Sequence, residues 1–118
     1  MKRTLVLGAS TNSNRYSNKA IFMLKEKGHE VVAVGNKTGI THNISISKDI
    51  SVDNIDTVTM YLGKKNQAPY YEAIISIKPK RIIFNPGTKN VELEEIALKN
   101  GIEVVEACTL VMLSIGNY

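Results

Sequence analysis

The residues best placed to do chemistry are hydroxyls, amides and isolated cations gathered near the start of the chain. An apolar run, Thr4–Leu7, ends at Gly8-Ala9-Ser10, and the loop Ser10–Asn14 that follows carries only hydroxyl and amide side chains before Arg15. That set suits an anion held by hydrogen bonds more than a nucleophile driven by a base. The loop opens into a helical pattern, which stops at Gly28, and a second apolar run, Val31–Val34, comes next. Strand, tight turn, helix and strand fit within the roughly 30 residues of a βαβ unit. Backbone N–H groups converge at such a turn and the helix dipole favours negative charge, so a phosphate is the expected guest. The loop reads Gly8-x-Ser10-x-x-Ser13, with serines at two of the three glycine positions of the dinucleotide fingerprint. Ser10 can offer a hydroxyl and an N–H, although a pyrophosphate lying flat on that turn would be crowded.

The end of the second strand adds a constraint. Sites for NAD place an acid there to accept from the ribose hydroxyls, whereas this chain has Gly35-Asn36-Lys37. A lysine suits a phosphate on the adenosine ribose, a group found in NADP and in coenzyme A; its ordinary alternative is a solvated loop lysine. Arg15, just ahead of the helix, is a second candidate clamp. Asn85-Pro86-Gly87 reads as a strand-to-helix turn and becomes a candidate wall if it faces Gly8.

Catalytic groups are sparse. Cys108 is the one thiol, which excludes an internal disulfide and offers no zinc spacing, and burial in the core is its expected place. His29 and His42 stand in no recognisable partner arrangement, and Glu106 lacks a second carboxylate with which to form an acid–base pair. No catalysis is expected from this chain alone.

The elements that must position these groups follow from short apolar runs and punctuation. The 118 residues suffice for one domain with a core, and 43% hydrophobic against 22% charged residues indicates a globular chain. Fifteen basic and eleven acidic residues give +4, which suits an anionic small ligand and is too mild and scattered for nucleic acid. No signal peptide or membrane span is legible, so the cytoplasm is the expected location. Strands are expected at Thr4–Leu7, Val31–Val34, Asp56–Leu62, Arg81–Phe84 and Ile102–Val105. Ser13, Asn14 or Ser17 is expected to cap the first helix, whose buried stripe is Ala20, Ile21 and Leu24 with Ser17 and Gly28. Asn66 is expected to cap a helix running to Ile77, Asn90 one that ends at Gly101, and Thr109 a short last helix to Ser114. The stretch Asn36–Asn54 shows turns and one short extended piece, Ile44–Ile46, but no full helix. The expected fold is α/β, a Rossmann-like three-layer sandwich whose five-stranded parallel sheet has the order 3-2-1-4-5. Strands 1 and 4 would then be neighbours, and Gly8–Ser10 would face Asn85–Gly87 across one crevice. The order 2-1-3-4-5 is the alternative.

These residues carry a resemblance that runs nearly end to end. Val6-Leu7-Gly8-Ala9-Ser10 with Asn14-Arg15-Tyr16-Ser17, the strand end Val31–Lys37, Asn85-Pro86-Gly87 and the tail Glu106-Ala107-Cys108-Thr109 together resemble the small stand-alone bacterial CoA-binding proteins. Their fold is similar to the CoA-binding N-terminal domain of the succinyl-CoA synthetase α subunit. The resemblance implies a domain that binds coenzyme A or an acyl-CoA without an established reaction. It places Gly8, Ala9, Ser10, Asn14, Arg15 and Ser17 along the phosphates and Asn36 and Lys37 at the adenosine. Met60, Tyr61 and Leu62, with Asn85, Pro86 and Gly87, would border the remainder. The chain departs from the pattern where relatives often place a proline directly after the second strand, and where Gly63-Lys64-Lys65 replaces an arginine-containing turn.

The expected function is therefore non-catalytic binding of CoA or an acyl-CoA. The alternatives are a small NADP-binding reductase, which would explain Lys37 but lacks a substrate domain, and a nucleotide-sensing interaction module. A CoA ligase would need a phosphorylatable histidine and a nucleotide-grasp domain for which this length has no room. Neither nucleic acid nor membrane is an expected partner, and a homodimer or a protein partner stays open.

Overall fold

A computed structural model describes all 118 residues. The elements are β1 (Thr4–Leu7), α1 (Tyr16–Glu26), β2 (Val31–Val34), β3 (Gly39–Thr41), β4 (Ile44–Ser47), β5 (Thr57–Met60), α2 (Tyr71–Ile77), β6 (Arg81–Phe84), α3 (Val91–Lys99), β7 (Glu103–Glu106) and α4 (Thr109–Ile115). Two 3-10 turns, Lys64–Asn66 and Ala68–Tyr70, precede α2.

One seven-stranded sheet runs β3-β4-β2-β1-β5-β6-β7. Every pairing is parallel except β3 with β4. The expectation of five parallel strands is thus corrected to seven strands with one antiparallel edge. The five strands expected from the sequence stand in the order 2-1-3-4-5, the alternative, and not 3-2-1-4-5, because Thr57–Met60 pairs directly with β1 while Ile44–Ser47 adds a parallel strand outside β2. The switch point lies between β1 and β5, and β6 is one strand further away than the sequence suggested. The physical reason is the missing crossover helix. Between β2 and β4 the chain makes a hairpin through His42 and Asn43, both at positive φ (50° and 63°), the two-residue turn that matches strand twist. From β4 to β5 it crosses as an irregular segment, whose Ile50, Val52 and Ile55 pack on the core.

The three layers follow from alternation along the strands. Leu5 and Leu7 of β1 join Val58, Met60, Ile82 and Phe84 beneath Ile74 of α2 and Leu93 and Ala97 of α3. Val6 points the other way, with Val31, Ala33 and Ile46, against Ile21 and Leu24 of α1 and Leu113 of α4. All four residues of β1 are buried, as a central parallel strand covered on both faces requires.

Helix ends differ instructively from expectation. Asn90 caps α3 by accepting from the Leu93 N–H, and Gly28 follows α1 at φ +87°. The residue before α1 is Arg15, and no side chain caps that helix; Ser13, Asn14 and Ser17 do not. Asn66 sits in a 3-10 turn and caps nothing. Thr109 is the first residue of α4, and its N–H is capped from another element, by Asn85 Oδ1 at 2.8 Å.

Candidate functional site

The C-terminal ends of β1, β2, β5 and β6 open onto one cleft of about 660 Å³. Its floor is built by very close backbone packing. The Gly8 and Ala9 N–H groups both donate to the Val34 carbonyl, at 2.8 and 2.9 Å, which ties the end of β1 to the end of β2. Gly8 has φ +100°, and a Cβ there would lie 2.9 Å from the Leu62 nitrogen and the Tyr61 carbonyl carbon. Gly8 is thus required by the fold, as a point where β1 and the end of β5 meet, before any ligand is considered. Gly35 is tighter still: its Cβ would stand 2.3 Å from the Ala9 carbonyl oxygen.

Because Gly8 and Ala9 have spent their N–H groups, the free donors lie further along the loop. The N–H groups of Ser10, Thr11, Tyr16 and Ser17 donate to nothing within the chain. Those of Asn12 and Asn14 are taken by Ser10 Oγ (3.0 Å) and Asn12 Oδ1 (2.9 Å). The uncapped first turn of α1 therefore presents its positive dipole end to the cleft, at Ser17. Arg15 and Lys37 line the same space and neither forms an ion pair. No carboxylate lines it. Free N–H groups, two unneutralised cations and no acid make a cleft suited to an anion.

Of the residues singled out from the sequence, Gly8, Ala9, Ser10, Arg15, Ser17, Asn36, Lys37, Tyr61, Leu62 and Pro86 line the cleft. Four do not. Met60 is wholly buried in the core between the sheet and α2, because the inward alternation of β5 continues to its last residue. Asn85 turns inward: its Nδ2 donates to Thr59 Oγ1 and the Met60 carbonyl, both at 2.8 Å, while its Oδ1 holds the Thr109 N–H. Gly87, the residue after Pro86, lines instead a separate 300 Å³ recess with Lys89, Glu106 and Cys108. Asn14 is exposed on the outer side of the loop.

Both the β1–α1 loop and the far wall, formed by Leu62, Gly63, Asn66, Pro86 and Thr88, contain residues the sequence did not single out as cleft-lining. Thr11, Asn12, Tyr16, Gly63, Asn66 and Thr88 complete the lining. Behind that wall stands Gln67, which is completely buried and was not anticipated at all. Its Nε2 donates to the carbonyls of Leu62 (2.9 Å) and Thr88 (2.8 Å), and its Oε1 accepts from Asn90 Nδ2 (2.9 Å). The chain continues through Asn90 Nδ2 to Tyr71 Oη (2.7 Å) and from that hydroxyl to Glu92 Oε1 (3.0 Å). A buried amide that satisfies two loop carbonyls fixes the separation of those loops. Its one sequence signal is a glutamine in a segment otherwise readable as an amphipathic helix.

Tyr61 shows a different environment at each end. Its ring borders the cleft, but its hydroxyl is buried without a hydrogen-bond partner. The nearby Thr59 and Thr109 hydroxyls are engaged with each other at 2.8 Å. Burial pushes the Tyr61 pKa up to about 12. Tyr61 is neutral at physiological pH. Cys108 is half-exposed at the rim of the recess, which corrects the expectation of core burial. No group of three or more metal-ligating side chains is present, and no helix is long and apolar enough to cross a membrane.

Comparisons with known proteins agree with this architecture. A family model described as a CoA binding domain matches residues 2–114. A crystal structure of an uncharacterized protein is 50% identical, with TM-score 0.97 over 100% of this chain and 98% of that one. A hypothetical protein from Pyrococcus horikoshii OT3 shares the fold at 24% identity and TM-score 0.89, over 97% of this chain and 82% of its own. A dinucleotide-forming acetyl-coenzyme A synthetase from Ca. Korarchaeum cryptofilum, solved with phosphate and ADP, aligns at 14% identity and TM-score 0.70. That alignment covers 88% of this chain and 25% of the synthetase. The search of curated proteins found no match.

Proposed function

We propose, from the premise that this chain belongs to the CoA binding domain family, that it binds coenzyme A or an acyl-CoA in the cleft between β1 and β5. The observation that carries the reading is the coincidence of three features in one cleft: unsatisfied N–H groups at the start of α1, unpaired Arg15 and Lys37, and no lining carboxylate. The pyrophosphate lies along Ser10, Thr11 and Ser17 with Arg15 beside it. The adenosine and its ribose phosphate lie toward Asn36 and Lys37, at the end of β2. The pantetheine arm runs past Leu62 and Gly63 toward Pro86 and Thr88. Gly8 and Ala9 support this arrangement by packing, since their N–H groups are spent on Val34. Binding is the whole activity of the chain in this reading.

A second reading, an NADP site, uses the same Lys37 and the same absence of an acid. The two are separated by titrating the protein calorimetrically with CoA, dephospho-CoA and NADP, and by mass spectrometry of any ligand released from the purified protein. CoA should bind, and Lys37→Ala should weaken CoA about tenfold to a hundredfold while leaving dephospho-CoA nearly unchanged. That range corresponds to the roughly 1.5–3 kcal/mol of a charge-assisted hydrogen bond. Equal losses for both ligands would remove Lys37 from the ribose phosphate. Binding of NADP with no heat from CoA would replace the first reading by the second.

A further inference from the structure

The loop that would receive the phosphates is held from behind by a side chain outside the cleft lining. Asn18 on α1 is 2% exposed. Its Nδ2 donates to the Ser10 carbonyl and to Thr41 Oγ1 on β3, both at 2.8 Å. Its Oδ1 lies 2.9 Å from Nε2 of His42, in the hairpin turn. A carbonyl can only accept, so the Ser10 contact fixes which end of the amide faces the loop. Oδ1 then faces His42, and the imidazole must carry its proton on Nε2. One buried amide thus has both its donors and an acceptor position committed, and those bonds join three separate segments of chain.

The hairpin touches the loop at a second point. A Cβ on Gly39 of β3 would lie 2.7 Å from Thr11 Cγ2, so this strand abuts the loop directly. Ser10 is thereby held through its carbonyl, and its Oγ is engaged by the Asn12 N–H. What remains unengaged is its N–H, at the cleft. The residues that clasp the loop from outside, Thr41 and His42, are contributed by the β3–β4 hairpin that replaces a crossover helix.

We infer that Asn18 is a positioning residue for the cleft, through which the β3–β4 hairpin holds the Ser10–Arg15 loop in its ligand-receiving shape. The inference rests on the proposed function only in taking that loop as the phosphate-receiving one. It makes the hairpin part of the binding apparatus although Thr41, His42 and Asn18 do not line the cleft.

The test uses Thr41→Val, which removes one partner of the amide at a half-exposed position, and Asn18→Asp, which keeps an acceptor for His42 and removes both donors. Backbone NMR order parameters of Ser10–Arg15 in the ligand-free protein should fall from about 0.85 toward 0.6 in both variants, while those of β5 and β6 stay unchanged. CoA affinity should fall about threefold to tenfold in Thr41→Val and further in Asn18→Asp. Unchanged order parameters in the loop would overturn the inference, as would loosening spread evenly over the sheet, which is what a merely structural asparagine would give. The ligand-free measurement decides the inference by itself. A wild-type protein that gives no heat with CoA while its loop depends on Asn18 would overturn the proposed ligand and leave the positioning role standing.

Discussion

Gly35→Ala adds one methyl group and should be among the most damaging single changes at the cleft. The new Cβ would stand 2.3 Å from the Ala9 carbonyl oxygen and 3.2 Å from its carbon, where ordinary contact begins at 3.4 Å. Both neighbours are backbone, so no side chain can rotate away, and the loop must retreat by about 1 Å. Retreat strains the two N–H bonds from Gly8 and Ala9 to Val34, at 2.8 and 2.9 Å, and the bond from the Gly35 N–H to the Ser47 carbonyl, at 2.9 Å. Overpacking of this kind costs about 1–3 kcal/mol, and each weakened hydrogen bond contributes up to roughly 1 kcal/mol. Together these give about 2–4 kcal/mol, a fall in Tm of order 8–16 °C for a domain of this size. The control is Gly63→Ala, where nothing lies within 4 Å of the added Cβ and φ is −62°. It should be neutral or raise stability by a few tenths of a kcal/mol. Thermal melts and urea titrations of both variants check this. A Gly35→Ala protein melting within about 1 °C of wild type would refute the claim that the β1–α1 loop is seated on the end of β2.

Gln67→Leu removes an amide and strands the carbonyls of Leu62 and Thr88 and one Asn90 donor; buried unsatisfied groups cost about 1–3 kcal/mol each. A urea midpoint shift equivalent to at least 2 kcal/mol is therefore expected, with weaker CoA binding because the far wall loosens. Tyr61→Phe should leave stability unchanged or raise it by up to about 1 kcal/mol, since the lost hydroxyl is buried without a partner; a clear loss in denaturant titration would show that Thr59 or Thr109 bonds it. His29 is held below its ordinary pKa by burial first, then by the N-terminal amine, Lys2 and Arg81. The unfolded chain thus protonates first as pH falls, so this contribution to stability is intact above about pH 6.5 and lost as pH drops through the folded pKa. His29→Gln should flatten the Tm-against-pH curve between pH 7.5 and 5.5, and identical slopes would refute it.

The parts of the molecule legible in the sequence were those governed by local rules. Thr4–Leu7, Val31–Val34 and Arg81–Phe84 read as strands because parallel strands covered on both faces are nearly continuous runs of apolar and β-branched residues. The Asn90 cap was legible from residue type and position. Strand order was legible only in its alternative form, 2-1-3-4-5, because the place beyond β2 belongs to Ile44–Ser47. With no helix before or after it, that strand lost the βαβ context by which parallel strands are recognised. The flanking signal was present all the same: Ile44-Ser45-Ile46-Ser47 alternates beyond a His-Asn pair able to take positive φ. In the cleft, most of the residues singled out at strand ends do line it, Met60 and Asn85 turn into the core, and second-layer residues were missed. Gln67 and Asn18 act through carbonyls of distant loops, and a side chain whose partner is 21 or 8 residues away leaves no periodic trace.

The position of β1 has a consequence for the order in which the protein can assemble. Its two neighbours are β2, available once residue 34 exists, and β5, whose Thr57–Met60 pairs with Thr4–Leu7 in register. A chain emerging from the ribosome can therefore pair β1 with β2 first and add β4 and β3 beyond β2 afterwards, leaving the other edge of β1 open from residue 34 until Thr57–Met60 has been made, more than twenty residues later. That edge is an unpaired strand of four core residues, the kind of surface that recruits other chains. A longer interval separates the two walls of the cleft: the first is made by Lys37, and the second is complete only when Thr88 joins Gln67 and Leu62. A ligand that bridges both walls would pull on a long-range step of folding. CoA added during refolding should then act as a folding template, raising the yield of soluble protein by capturing chains whose halves have just met.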